Sequence, residues 1–224
     1  MPGEAQLTAA SGGGSAAFVG PPTSSANTKL KLPADTGSAG QVLKIKSANH
    51  SSTNAELEWA ADSGGLFSSY AILEDQKSNG TDAGGITSGS WVKRDLNTET
   101  SDPDGIVSLS SDQFTLGAGT YLIKWRAPGY HCNIFCTQLK VTSGTFVHNG
   151  ADSSAVAGDP TYCRDLYHYG YSEGAARITI TGDKTFEIQQ QASTTANTNG
   201  LGLSSPFNAG VEVYTRVEIY KEAS

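Results

Sequence analysis

No stretch of this chain spaces its apolar side chains as one face of a helix would. Its apolar runs are short, they alternate with polar residues, and they stop at Gly, Asp, Asn or Pro. Alternation at every second position is the period of a half-buried strand. Twenty-six glycines and abundant Ser, Thr and Asn between the runs supply turn chemistry. An all-β chain of many short strands is the expectation.

The texture changes along the sequence. Residues 1–17 are mostly Gly, Ser and Ala, with GGG at Gly12 to Gly14. They bury too little apolar surface to fold alone, so they read as a flexible docking arm. In residues 18–63, LKLP (Leu30 to Pro33), VLKIK (Val42 to Lys46) and ELEW (Glu56 to Trp59) alternate strictly. They predict three strands whose lysines and glutamates, in an antiparallel arrangement, stand side by side on the wet face. The opposite face, with Leu57 and Trp59, is too small to close a core and calls for neighbouring copies or a host surface. This module is expected to serve attachment and trimerisation. Gly64-Gly65 then opens a longer domain, residues 64–224.

In that domain the strand candidates are Phe67 to Leu73, Gly89 to Leu96, Gly105 to Leu109, Gln113 to Leu116, Gly119 to Trp125, Cys132 to Val141, Ala176 to Thr181, Thr185 to Gln190 and Val211 to Lys221. This spacing, with no helical period between strands, indicates a sandwich or jelly roll. Tyr121, Trp125, Tyr214 and Ile219 alternate with polar neighbours, so they are expected in or beside the inner sheet as core or trimer packing.

The formal net charge of −7 and the lack of a basic cluster argue against nucleic acid. No apolar run reaches membrane-spanning length, and Met1 to Ala10 has no signal-peptide pattern, so neither membrane insertion nor classical secretion is expected. Cys132, Cys136 and Cys163 are odd in number and too few for a disulfide framework, and they read as small buried fillers from a reducing cytosol. On one strand Cys132 and Cys136 would face the same way about 13 Å apart, too far to share a metal. Asp102-Pro103-Asp104-Gly105 reads as a turn. His50, His131, His148 and His168 are scattered, and no G-x-S-x-G elbow is present. No catalytic residue, metal or cofactor is expected.

FTLGAGTYLIKW (Phe114 to Trp125) and VEVYTRVEIYKEA (Val211 to Ala223) resemble segments of the C1q and tumour-necrosis-factor superfamily. SWVKRDLNTE (Ser90 to Glu99), GTYLIKWRAP (Gly119 to Pro128) and the terminal VEVYTRVEIYK (Val211 to Lys221) are similar to C-terminal domains of fibre-like proteins of tailed bacteriophages. AFVGPPTSSANTKLKLPADTGSAGQVLKIK (Ala17 to Lys46) is similar to the strand modules that precede such tips. The resemblance implies a jelly roll that trimerises about an aromatic axis, made in the host cytoplasm and carried on the tail or capsid surface of a virion. It further implies contacts to other virion proteins through the N-terminal part.

YCRDLYHYGY (Tyr162 to Tyr171) gathers four tyrosines, an arginine and a histidine in ten residues. Tyr and Arg make contact area at low entropic cost. The segment suits either a receptor loop or packing at the trimer axis. Tyr130, Tyr162, Tyr167 and Tyr169 are the receptor-binding candidates, for a host-surface glycan or protein. A receptor-binding tail fibre or spike is thus the expected function. A capsid-bound head fibre or cement protein, and a polysaccharide-degrading fibre tip, are the alternatives.

Overall fold

The computed structural model describes residues 5–7, 16–18, 29–50, 54–61, 65–163, 169–207 and 210–223. It divides into two units, Met1–Gly64 and Gly65–Ser224. Among the described residues no helix is long and apolar enough to cross a membrane.

The first unit holds β1 (Ala5–Leu7) and β2 (Ala16–Phe18), an antiparallel pair, and a sheet of β3 (Lys29–Lys31), β4 (Gln41–His50) and β5 (Asn54–Ala61). β5 is central. β4 joins it antiparallel, whereas β3 runs parallel to it, which differs from the antiparallel expectation. Charge pairing survives because register, not direction, sets it: Lys31 lies opposite Glu56 (3.0 Å) and Lys44 opposite Glu58 (4.0 Å). On the other face Leu43 pairs with Trp59 and Ile45 with Leu57. Leu43 and Ile45 are exposed there, and Leu57 and Trp59 are half-buried. Trp59 is covered by the Asp35–Gly37 turn: its Nε1 donates to Asp35 O (2.9 Å), and the ring occupies the space a Cβ on Gly37 would need.

The second unit contains β6 (Phe67–Ser78), β7 (Val92–Lys93), β8 (Thr98–Ser101), β9 (Val107–Ser110), β10 (Gln113–Leu116), β11 (Gly119–Tyr130), β12 (Asn133–Val141), β13 (Phe146–His148), β14 (Ala151–Ser153), β15 (Ala155–Ala157), β16 (Thr161–Cys163), β17 (Tyr169–Ile180), β18 (Lys184–Ala192) and β19 (Val211–Glu222). One sheet has the order β14-β13-β17-β11-β19-β6-β8. The other has β15-β12-β18-β10-β9, with β16 also on β12 and β7 on β18. Along the chain β6, β11, β17 and β19 fall in the first sheet and β10, β12, β15 and β18 in the second, all antiparallel. This crossing pattern makes the unit an all-β antiparallel jelly roll. Inward residues of both sheets form the main core, among them Leu73, Ile123, Trp125, Ile178 and Val217 against Phe114, Leu139, Phe186 and Ile188. Burying each such side chain contributes about 1.5–3 kcal/mol.

A second apolar cluster, including Ile86, Cys132, Phe135, Leu201 and Tyr214, fills one end. Polar residues adjoin it. Tyr214 and Thr215 form a bulge, two residues opposite the single Asp75, and both turn inward. Arg94, fully buried, donates from Nε to Thr215 Oγ1 (2.9 Å) and from Nη1 to Leu201 O (2.8 Å) and Gln190 Oε1 (3.2 Å). Burial lowers the Arg94 guanidinium to about 10, with Asp75 and Asp95 opposing that shift. Trp125 Nε1 donates to Thr137 Oγ1 (2.9 Å), and Ser172 Oγ donates to Asp159 O (2.8 Å). The hydroxyls of Thr137 and Ser172, 2.8 Å apart, therefore complete a chain in which Thr137 donates to Ser172.

Candidate recognition end of the jelly roll

The polypeptide enters the second unit at Gly65, where Phe67 of β6 pairs with Glu222 of β19 and Gly119 of β11 with Ile180 of β17. At the opposite end lie Ser78 beside Val211, Tyr130 beside Tyr169, and Ala192 beside Phe135. Twelve extended residues separate the two ends, roughly 35–40 Å. The loops 79–91 and 193–207 and the corner 131–132 belong to this far end.

At the corner, β11 turns from the first sheet into β12 of the second through two residues. His131 and Asn133 take positive φ, 55° and 59°. Such values are uncommon outside glycine and reflect the tightness of the crossing. His131 consequently stacks on Tyr130 (centroids 4.1 Å, planes 14° apart). Tyr130 meets Tyr169 at 6.5 Å, Tyr169 meets Tyr171 edge-on at 5.3 Å, and the Arg126 guanidinium stands 5.4 Å from the Tyr171 ring centre, within cation–π range. Partial burial, with help from Tyr171, pushes the Tyr169 hydroxyl well above the usual phenol range.

Of the four receptor candidates the structure brings together Tyr130 and Tyr169. Tyr130 is buried, and the rings reaching solvent are those of Tyr169 and Tyr171. Tyr162 is 70% exposed on β16, which belongs to the second sheet. Tyr167 lies outside the described residues, as does His168. Tyr121, Trp125, Tyr214 and Ile219 are interior: the Tyr121 hydroxyl donates to Gly117 O (2.9 Å) and that of Tyr214 to Thr81 O (2.6 Å). Cys132 precedes β12 and is buried, while Cys136 on β12 is half-buried, opposite in phase to the inward Phe135 and Thr137. The two thiols therefore do not share a face as one continuous strand would have placed them. No group of His, Cys, Asp and Glu among the described residues could hold a metal ion.

On the outward face of the first sheet a hollow of about 340 Å³ lies between β11, β17 and β19, bordered by Lys124, Arg126, Glu173, Arg216 and Glu218. Arg216 is engaged by Glu74 (2.6 Å) and Glu218 (3.1 Å). Sugar cleavage needs one carboxyl held protonated as general acid. Although burial raises Glu218, hydrogen bonds from Tyr220 and Arg216 outweigh it and hold the carboxyl below its usual range, the wrong direction for that role.

Neither a protein-family model nor a curated protein sequence matches the chain. Similar solved structures include the globular domain of zebrafish complement 1qA (15% identity, 68% of this chain and 96% of that one, TM-score 0.42). Others are Eiger TNF from S. frugiperda (10%, 70% and 94%, 0.43) and murine APRIL at pH 8.0 (9%, 68% and 98%, 0.41). The jelly-roll assignment stands on the strand order above.

The far end also presents apolar side chains that the sequence did not single out. Trp91, Leu203, Phe207, Val211 and Val213 are exposed there along with Tyr162, Tyr169 and Tyr171, against Leu66, Tyr70 and Val147 toward the near end. Phe207 sits in a turn-like SSPFNAG context with no strand alternation, so nothing local marked it.

Proposed function

We propose that this protein is a non-enzymatic, self-associating attachment module: a homotrimeric tail fibre or spike of a bacteriophage virion. Its jelly roll meets the host surface with the end remote from Gly65, and its N-terminal arm contacts other virion proteins. The observation that carries this reading is the collection of exposed aromatic and aliphatic side chains at that end, while the chain enters and leaves the unit at the other. Exposed apolar side chains gathered at one end suit a contact site. A trimer presenting three copies converts weak single-site contacts into durable attachment through effective concentration. The uncovered Leu43 and Ile45 of the first unit support self-association. The tailed-phage assignment is supported by the sequence resemblance of residues 17–46, 90–99 and 119–128.

The purified full chain, added to host cells before virus, should reduce adsorption in a dose-dependent way. Undiminished adsorption, together with particles that lose their genome when the protein is missing, would instead favour a capsid-cementing role.

A further inference from the structure

At the far end, the segment from Leu203 to Phe207 is fastened by its backbone. Glu212 Oε1 accepts hydrogen bonds from Ser205 N (3.0 Å), Gly80 N (3.2 Å) and Asn79 Nδ2 (3.3 Å). Asn79 Nδ2 also donates to Phe207 O (2.8 Å), Asp82 Oδ1 accepts from Ser204 N (2.8 Å), and Ser205 Oγ accepts from Phe207 N (3.1 Å). Two carboxylates thus fix a loop whose most apolar side chain, Phe207, remains 74% exposed. The fold holds the ring's backbone while leaving its surface in water. Such preorganisation lowers the ordering cost a partner would otherwise have to overcome.

We propose that Phe207, with Leu203 on the same fastened segment, forms a protein-docking crest whose partner is a protein surface offering an apolar hollow edged by Lys or Arg. This rests on the reading above only in taking the far end as the contact end. The cationic edge follows from charge. Asp82 and Glu212 make no ion pair among the described residues, and the nearby Lys77 is engaged with Asp75 and Asp95. The rim of the crest is therefore net negative and attracts cations. A glycan fits less well, because the other exposed apolar side chain of the segment, Leu203, is aliphatic and the backbone donors of Ser204 and Ser205 are already taken by Asp82 and Glu212.

The test is a displayed random-peptide library selected on the immobilised full chain, followed by titration of the selected peptides as free molecules. Enrichment of peptides combining large apolar residues with Lys or Arg is expected. Their affinity should fall about 30-fold or more in Phe207→Ser, as loss of a central anchor does. It should also fall in Glu212→Gln, which keeps the acceptor oxygen and removes the charge, and on raising salt. Phe207→Ser should unfold at the wild-type temperature, since the ring packs against little.

Selected peptides that bind Phe207→Ser as tightly as wild type would overturn the proposal, as would selected peptides without basic residues. Dissociation of the oligomer by Phe207→Ser would overturn it too, by making a second copy the occupant. Adsorption blocked equally by wild type and Phe207→Ser would sink the crest and keep the attachment reading. Phe207-dependent peptide binding by a chain that does not compete with virus would do the reverse.

Discussion

Trp125 lies across the sheet from Gly174, and its indole fills the space that a Cβ on that glycine would occupy. The pair is a unit of packing: a large inward ring is accommodated because its cross-strand neighbour has no side chain. Trp125→Ala should cost about 3–5 kcal/mol in urea unfolding, through lost transfer energy and a cavity. Gly174→Ala should destabilise as well, by displacing the indole from Thr137. A loss under about 1 kcal/mol for Trp125→Ala would mean the site collapses freely.

Asp75 behaves differently because it is a charge in the interior. Its Oδ1 lies 3.1 Å from Lys77 Nζ, but neither oxygen receives a well-directed hydrogen bond, and burial raises its carboxyl above the ordinary value despite Lys77 and Arg94. The folded protein thus binds this proton more tightly than the unfolded chain, whose carboxyl titrates near about 4. Stability contributed by protonated Asp75 is present below that value and is lost as pH rises through the folded value. Asp75→Asn should flatten the fall in unfolding free energy over that window, measured by denaturant titration at a series of pH values. An unchanged pH profile would show that Lys77 fully compensates the charge. Neither Asp75 nor Arg94 stood out in the sequence. Arg94 looks like one more polar residue in a run, and its acceptors Gln190 and Leu201 lie 96 and 107 positions away.

At the level of elements, alternation alone delimited β10 as Gln113–Leu116 and placed β19 to within one residue at its end. β10 has one dry and one wet face throughout, and β19 has them from Arg216 to Tyr220. Alternation faltered where only part of a strand is dry. β17 begins at Tyr169, seven residues before its expected start, because its first part alternates Tyr, Ser and Gly instead of aliphatic residues. The stretch Gly89 to Leu96 contributes just Val92–Lys93 to a ladder, and the short β13 to β16 gave no signal. The bulge at Tyr214–Thr215 was likewise hidden, since one inserted residue leaves the apolar count unchanged. Within the second unit the two ends are tied together: Ala223 N donates to Leu66 O (3.1 Å), and β6 and β19 pair along their length. Residues 65–224 alone should therefore remain soluble and unfold cooperatively, checked by circular dichroism and size exclusion. Aggregation or a non-cooperative melt would show that Met1–Gly64 supplies part of the core.

For the whole molecule, the two outward faces of the jelly roll differ, and the difference predicts which of them copies of the chain would share. On the second sheet the polar side chains satisfy one another: Gln138 donates to Gln189 (2.6 Å), and Gln189 and Gln113 both donate to Glu187 (2.6 and 2.7 Å). That face is suited to water. On the first sheet Leu122, Tyr220 and Tyr70 form one apolar row across three strands, extended by Phe67 at 5.3 Å from the Tyr220 ring. The hollow bordered by Lys124, Arg126 and Glu173 lies further along the same face. Apolar area beside charges of both signs fits an interface in which copies bury the row and match charges around it. Native mass measurement of the full chain should give three times 23.3 kDa at micromolar concentration. Tyr70→Glu combined with Leu122→Glu should shift it to monomer while residues 65–224 stay folded, because both side chains face out of the core. Gln138→Glu on the opposite face should leave the trimer intact. A stable wild-type monomer would remove the assembly altogether. A trimer that survives the double variant would move its contacts from this sheet to the apolar face of Leu43, Ile45, Leu57 and Trp59, where strands too few to close a core alone would then carry the association.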